Sequence, residues 1–174
     1  MTTIACDGVW IAADGRATSG AVVIAETAQK LHVSGGRIYG YAGTASFKMP
    51  MIAWIEAGAD PDKAPKIHDD DDWQMMIVMR DHRVATITKR APYLLLQEIP
   101  CARGTGSDFA LAAMDLDRCA EGAVRAAMRR DIHSGGTVAV LNIWDELGAP
   151  VADPMWADIK PVVFDNTQDV KAAA

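Results

Sequence analysis

The chain is short of cysteine, aromatic residues and long apolar runs, and each shortage removes a class of protein. Cys6, Cys101 and Cys119 are the only three cysteines among 174 residues, and none forms a CxxC pair. So odd and sparse a set excludes a disulfide framework and fits a reducing compartment. No stretch approaches the roughly 18 consecutive apolar residues that a membrane-spanning helix needs. The first residues lack a basic n-region, and Asp7 interrupts the chain before an apolar h-region can form. No secretory leader is therefore expected, and a cytoplasmic location is. Basic residues are also in deficit: 17 Lys and Arg against 23 Asp and Glu leave a formal charge of -6. That balance argues against nucleic acid and anionic membrane as partners.

Common catalytic signatures are missing as well. The sequence contains no GxSxG elbow, no HExxH, no GxxxxGK[ST] and no EF-hand loop. Its histidines, His32, His68, His82 and His133, stand singly, so none suggests a metal centre. GTGSD at 104–108 lacks the remainder of a dinucleotide fingerprint. HDDDDW at 68–73 has oxygen ligands enough for a divalent cation. Consecutive aspartates rarely converge on one ion, and the run reads as a solvated loop. No metal and no cofactor are expected.

What is present is ordinary globular composition, 50% hydrophobic and 23% charged, in a length that suits one domain over 1–174. Residues 2–6 and 9–14 read as strands joined by a tight Asp7-Gly8 hairpin turn of the primed kind. GAVVIA (20–25) reads as a further strand, and KLHVSGGRIYGYAG as a second hairpin with Ser34-Gly35-Gly36 at its bend. Over TASFKMPMIAWIEAGA the apolar residues switch to helical spacing, with Ser46 as the expected N-cap and Pro50 tolerated near the first turn. Strands return from Trp73 to Gly106, broken at RDH and KRAP. Two helices follow across SDFALAAMDLD and AEGAVRAAMRRD, then a last strand, TVAVLNIW, and a tail that frays over about 165–174. The order predicts an α+β protein in which helices cover sheets.

The opening MTTIACDGVWIAADGRATSG calls for a chemical explanation, because its strand begins at residue 2 where most chains fray. A threonine hydroxyl is a weak nucleophile unless a base removes its proton and nearby positive charge favours the alkoxide. At a chain terminus the residue carries its own base. A free α-amine has a reference pKa of roughly 7.7–8.0 and accepts a proton near neutrality. Methionine followed by a small residue such as Thr2 is the usual substrate for methionine removal, which would free that amine.

The series TTIA, IAADGRAT, AQKL, GYAG, GTGSDFALAAM and RRDIHSGG, in that order, resembles the proteasome β-subunit family, including its HslV-type peptidase branch. The likeness spans most of the chain and is strongest over about 2–47 and 101–143. It implies an N-terminal-nucleophile hydrolase with a four-layer αββα sandwich. Matched motif by motif, it makes Thr2 the nucleophile, with Asp14 holding Lys30 charged and oriented so that Lys30 lowers the pKa of the Thr2 hydroxyl. Gly43 becomes the backbone oxyanion donor, and Asp131 and Ser134 support the terminal amine. Thr105 stands where relatives carry a GSG serine. Ala17, Ala28 and Tyr41 are expected to shape the pocket for the residue preceding the scissile bond.

The resemblance further implies a threonine-type endopeptidase acting on unfolded polypeptide or peptide substrates. It implies assembly into a homo-oligomeric double ring with sites facing an enclosed chamber, and an ATPase unfoldase as partner. Two other readings share these residues: a catalytically inert ring subunit, and an amidase acting on a small amide. The chain departs from its relatives after the first helix, where DPDKAPKIHDDDD replaces a second long helix. Its first hairpin is also shorter. Simple removal of Met1 is expected to suffice for activation, with no longer leader to cleave.

Overall fold

The computed structural model describes residues 2–66, 72–89 and 94–153. Strands β1 (Thr3–Cys6) and β2 (Trp10–Asp14) form the first hairpin, flanked by β10 (Cys101–Gly104) and β11 (Val138–Asn142) in a four-stranded antiparallel sheet ordered β10-β1-β2-β11. A second antiparallel sheet runs β5-β6-β7-β8-β9, made of Leu31–Ser34, Arg37–Gly43, Trp73–Val78, Val84–Thr88 and Leu95–Gln97. Between them in sequence, β3 (Ala17–Ser19) and β4 (Val22–Ala25) pair, among the described residues, only with each other.

The alternation of side chains along each strand decides what each sheet face meets. Ile4, Cys6, Ile11 and Ala13 of the first sheet share a buried cluster with Leu31, Ile38, Met76, Val78 and Val84 of the second. The intervening positions Ala5, Ala12 and Ala102 point the other way, against α2 (Ser107–Met114) and α3 (Ala120–Ala127), which answer with Ala110, Ala120, Ala123 and Ala127. Alanine on both sides lets these helices lie close to the strands. Larger groups seat α1 (Lys48–Glu56) on the second sheet, where Met51, Ile52, Trp54 and Ile55 pack on Tyr39, Tyr41, Met75, Ile77 and Ile87. Fully burying a side chain of this size contributes roughly 1.5–3 kcal/mol. No helix among the described residues is long and apolar enough to cross a membrane.

Three sequence expectations need correction, and two fall largely or wholly outside the described residues. The first hairpin turns on Gly8-Val9 rather than Asp7-Gly8: the Asp7 amide donates to the Trp10 carbonyl at 3.1 Å, and of the turn residues only Gly8 has positive φ, at 91°. Positive φ at the first central position alone is the pattern of a II′ turn. Ser46 does not cap α1, which is entered through a 3-10 turn over Ala45–Phe47 and has no side-chain cap. TVAVLNIW is not one strand, because Asn142 accepts from the amides of Trp144 (2.9 Å) and Asp145 (3.2 Å) and so starts α4 (Ile143–Leu147). The aspartate run falls largely on 67–71, and the tail on 154–174, both outside the described residues; a 3-10 turn over Pro61–Lys63 is seen between α1 and β7.

Asp7 does more than form a turn. Its Oδ1 accepts from the amides of Val9 (2.9 Å) and Trp10 (2.7 Å), while Oδ2 accepts from the amide of Ala120 at 2.7 Å. Ala120 opens α3, whose own N-cap residue, Cys119, supplies no side-chain bond. The hairpin tip therefore caps a helix more than a hundred residues away in sequence. Asp7→Ala is expected to cost about 1–2 kcal/mol, the range for losing an N-cap. A thermal melt checks this, with the midpoint falling by roughly 2–4 °C per kcal/mol for a chain of this size.

Candidate active site

The site forms where the start of β1, the end of β2 and the loop between α3 and β11 converge. Asp14 ends β2 with 1% of its surface exposed. Its Oδ1 accepts from the Thr3 amide and from Lys30 Nζ, both at 2.8 Å. Its Oδ2 accepts from the amides of Arg16 (3.1 Å) and Gly135 (2.9 Å). One carboxylate thus holds the first strand, the residue before β5 and the distal loop together. Lys30 is itself buried, and burial lowers its pKa below the ordinary lysine value even though the charge and hydrogen bond of Asp14 oppose that shift. The ion pair orients Lys30 without fully offsetting its desolvation.

A second cluster forms around Asp131. Asp131 follows α3, and its Oδ2 accepts from Ser134 Oγ at 2.6 Å and from Thr105 Oγ1 at 2.7 Å, while Oδ1 accepts from the His133 amide at 3.1 Å. Burial would raise the Asp131 pKa, but the bonds from Ser134, Thr105 and the His133 amide prevail and hold the carboxyl below its usual value. Ser134 Oγ lies 2.7 Å from Thr3 Oγ1, and the Thr105 hydroxyl lies 3.5 Å from the Thr2 carbonyl oxygen. Thr2 is 2% exposed. Gly104, at φ 97°, lets β10 reach it, since any Cβ at Gly104 would overlap the Thr2 carbonyl.

Thr2, Asp14, Lys30, Thr105, Asp131 and Ser134 are therefore gathered in one place. Of the remaining candidates, Tyr41 and Ala28 bond to residues flanking the cluster, whereas no described contact brings Ala17 or Gly43 to it. The Tyr41 amide donates to the Lys30 carbonyl at 3.0 Å and its ring is buried, while the Ala28 amide donates to the Gly15 carbonyl at 2.8 Å. Ala17 is half-buried at the start of β3, and Gly43 is exposed at the end of β6, opposite Trp73. No described contact joins Gly43 to Thr2. Among the described residues, no group of three or more His, Cys, Asp or Glu is placed to hold a metal ion.

Three residues that bind the site together were not singled out in the sequence. Thr3 contributes both its amide and its hydroxyl. Arg16 pairs with Glu26 at 3.1 Å and donates to the Ile132 carbonyl at 3.2 Å, tying the Asp131–Ser134 loop to the end of the first hairpin. The Glu26 carbonyl accepts from the Thr137 amide at 2.8 Å. Arg16 lies within the ADGRAT motif, so the signal was present; Glu26 carries none.

The layered sheets, with the buried site at the head of the first strand, have the fold of HslV- and proteasome-type β-subunit structures. Two proteins illustrate the likeness. The chain superposes on eukaryotic HslV from Trypanosoma brucei with a TM-score of 0.62 and 19% identity, over 81% of this chain and 98% of that one. Thiobacillus denitrificans BPH gives a TM-score of 0.60 and 18% identity over 82% of this chain and 97% of that one. BPH in complex with epoxomicin matches with a TM-score of 0.61 at 18% identity, over 82% and 98%. No protein-family profile and no curated sequence matches the chain.

Proposed function

We propose that the chain is a threonine-type endopeptidase of the N-terminal-nucleophile kind, with Thr2 as nucleophile once Met1 is removed. The observation that carries this reading is the buried Asp14 carboxylate, which binds Lys30 Nζ and the Thr3 amide through one oxygen at 2.8 Å each. It sets a cation and a rigid strand start beside the residue that would become the terminus. The three apolar cores are taken as the contacts within a four-layer αββα sandwich.

In this mechanism the α-amine of Thr2 takes the proton of its own hydroxyl as Oγ1 attacks the substrate carbonyl carbon. Lys30 favours the developing alkoxide. The amide of Gly43 stabilises the oxyanion, a contribution typically worth about 2.7–4 kcal/mol. The ammonium returns its proton to the leaving amine, and water attacking with the same amine as base releases the acyl group from Thr2. Ala17, Ala28 and Tyr41 shape an apolar pocket for the residue preceding the scissile bond. Substrates are unfolded polypeptides, and copies of the chain assemble into a ring that restricts access, fed by an ATPase unfoldase.

Incubation with an epoxyketone, the class to which epoxomicin belongs, tests the assignment because that group needs both a hydroxyl and an adjacent free amine. The intact mass is expected to show loss of Met1 and then one adduct, which peptide mapping places on Thr2. An unmodified chain, or an adduct elsewhere, overturns the assignment.

A further inference from the structure

Cys6 and Cys101 end the β1–β10 ladder, and the chemistry at residue 2 uses neither. The antiparallel register sets Cys6 directly opposite Cys101, and both side chains enter the same buried cluster between the two sheets. Directly opposed residues of an antiparallel pair have Cα atoms about 4.5 or 5.5 Å apart, depending on their place in the hydrogen-bond pattern. Either spacing lies inside the roughly 4.4–6.8 Å window that a disulfide requires. The two thiols already share a hydrogen bond, in which Cys6 donates and Cys101 accepts. That bond and the positive charge of Arg103, two residues along the same strand face, hold the Cys101 thiol below its ordinary pKa although burial opposes them. The described partners of Arg103 are the Ala102 carbonyl, the Thr86 hydroxyl and the Gln97 side-chain oxygen, all neutral. Cys119 is exposed and stands apart from this pair.

We propose that Cys6 and Cys101 form a reversible redox site, a dithiol that a peroxide closes into a cross-strand disulfide. The Cys101 thiolate attacks one oxygen of hydrogen peroxide, the O–O bond breaks, and Cys101 becomes a sulfenic acid as hydroxide leaves. The Cys6 sulfur then attacks the Cys101 sulfur. The S–O bond breaks, and the departing oxygen leaves as water with the Cys6 proton. Hydroxide takes up the proton first released by Cys101, so two thiols lose two electrons and the peroxide yields two waters. Access follows from position. β10 is the edge strand of its sheet, and Cys101 retains 5% exposure while Cys6 has none. An edge strand opens at lower cost than a central one, since only one neighbour holds it. The new bond ties β10 to β1 three positions from where Gly104 meets Thr3. It thereby fixes the strand that brings Gly104 and Thr105 to residue 2, whatever chemistry residue 2 performs.

The full chain, reduced with dithiothreitol and then freed of it, is exposed to hydrogen peroxide and unfolded in guanidinium with excess iodoacetamide. Peptide mapping without reduction locates the labels. The reduced chain is expected to carry them at Cys6, Cys101 and Cys119. After peroxide the labels at Cys6 and Cys101 should vanish together, with the two peptides joined, and dithiothreitol should restore both. Cys119→Ser should close the same bond. Cys6→Ser should stop at a Cys101 sulfenic acid, which dimedone traps; if it melts too low to handle, the Cys119→Ser chain decides alone. Because the link closes a long loop in the unfolded chain, oxidised Cys119→Ser should melt several degrees above its reduced form. Labels persisting at Cys6 and Cys101, a bond through Cys119, or sulfonic acid at Cys101 without a crosslink overturns the proposal. So does an oxidised form that melts below the reduced one, since the sheet would then have to distort to close.

Discussion

Thr2→Ala is expected to lower peptide hydrolysis by at least about 10⁴-fold, the scale seen when a covalent hydrolase loses its nucleophile. Alanine is as small as threonine requires for methionine removal, so the variant still presents a free amine and differs from the parent chiefly in the hydroxyl. The melting midpoint should stay within a few degrees of wild type, since the strand is held through Thr3 and Asp14 rather than through the Thr2 side chain. Thr2→Ser should retain measurable turnover. Peptide cleavage followed by fluorescence, alongside a thermal melt, checks the pair. Undiminished cleavage by the alanine variant would place the chemistry at another residue.

Asp14→Ala is expected to damage both fold and activity. The substitution leaves Lys30, 8% exposed, without the carboxylate 2.8 Å from its Nζ, and removes the acceptor for three backbone amides. Removing one partner of a buried pair typically costs about 3–5 kcal/mol, because an uncompensated charge stays in low dielectric. The midpoint should fall on the order of 10 °C. Asp14→Asn with Lys30→Met removes both charges at once and should recover much of that stability. Hydrolysis should not return, because the cation beside the nucleophile is gone. A double variant that cleaves like wild type would show that the pair serves only the fold. Alkaline pH gives the matching sign: with the Lys30 pKa lowered, the unfolded chain binds the extra proton between that value and 10.5. Folding stability therefore rises with pH across that window, while activity that needs the lysine cation falls.

Much of this architecture was legible because its signals are local. A glycine that accepts positive φ marks a hairpin within four residues, and alternation over Thr3–Cys6 and Trp10–Asp14 marks the strands. The switch to helical spacing after Phe47 located α1, though not its cap. The end of the last strand was missed for a physical reason: IW continues an apolar run, and only the Asn142 side chain, bonding two amides ahead, turns the chain into a helix. The likeness to a family supplied candidate site residues, but nothing in their separate positions shows that they meet.

By itself the sequence determined the two hairpins, with the first strand starting at Thr3 one residue later than the pattern suggests, the helix pair after Gly104, and an acidic composition without a membrane-spanning run. The tertiary structure alone decided that Asp7 caps α3, that Arg16 and Glu26 brace the Asp131–Ser134 loop, and that the hydroxyls of Thr3 and Ser134 share a hydrogen bond across 131 positions. Backbone preference and side-chain periodicity are written in a few neighbouring residues. Partnerships between distant side chains depend instead on the register of β10, β1, β2 and β11, which exists only once the sheet has formed.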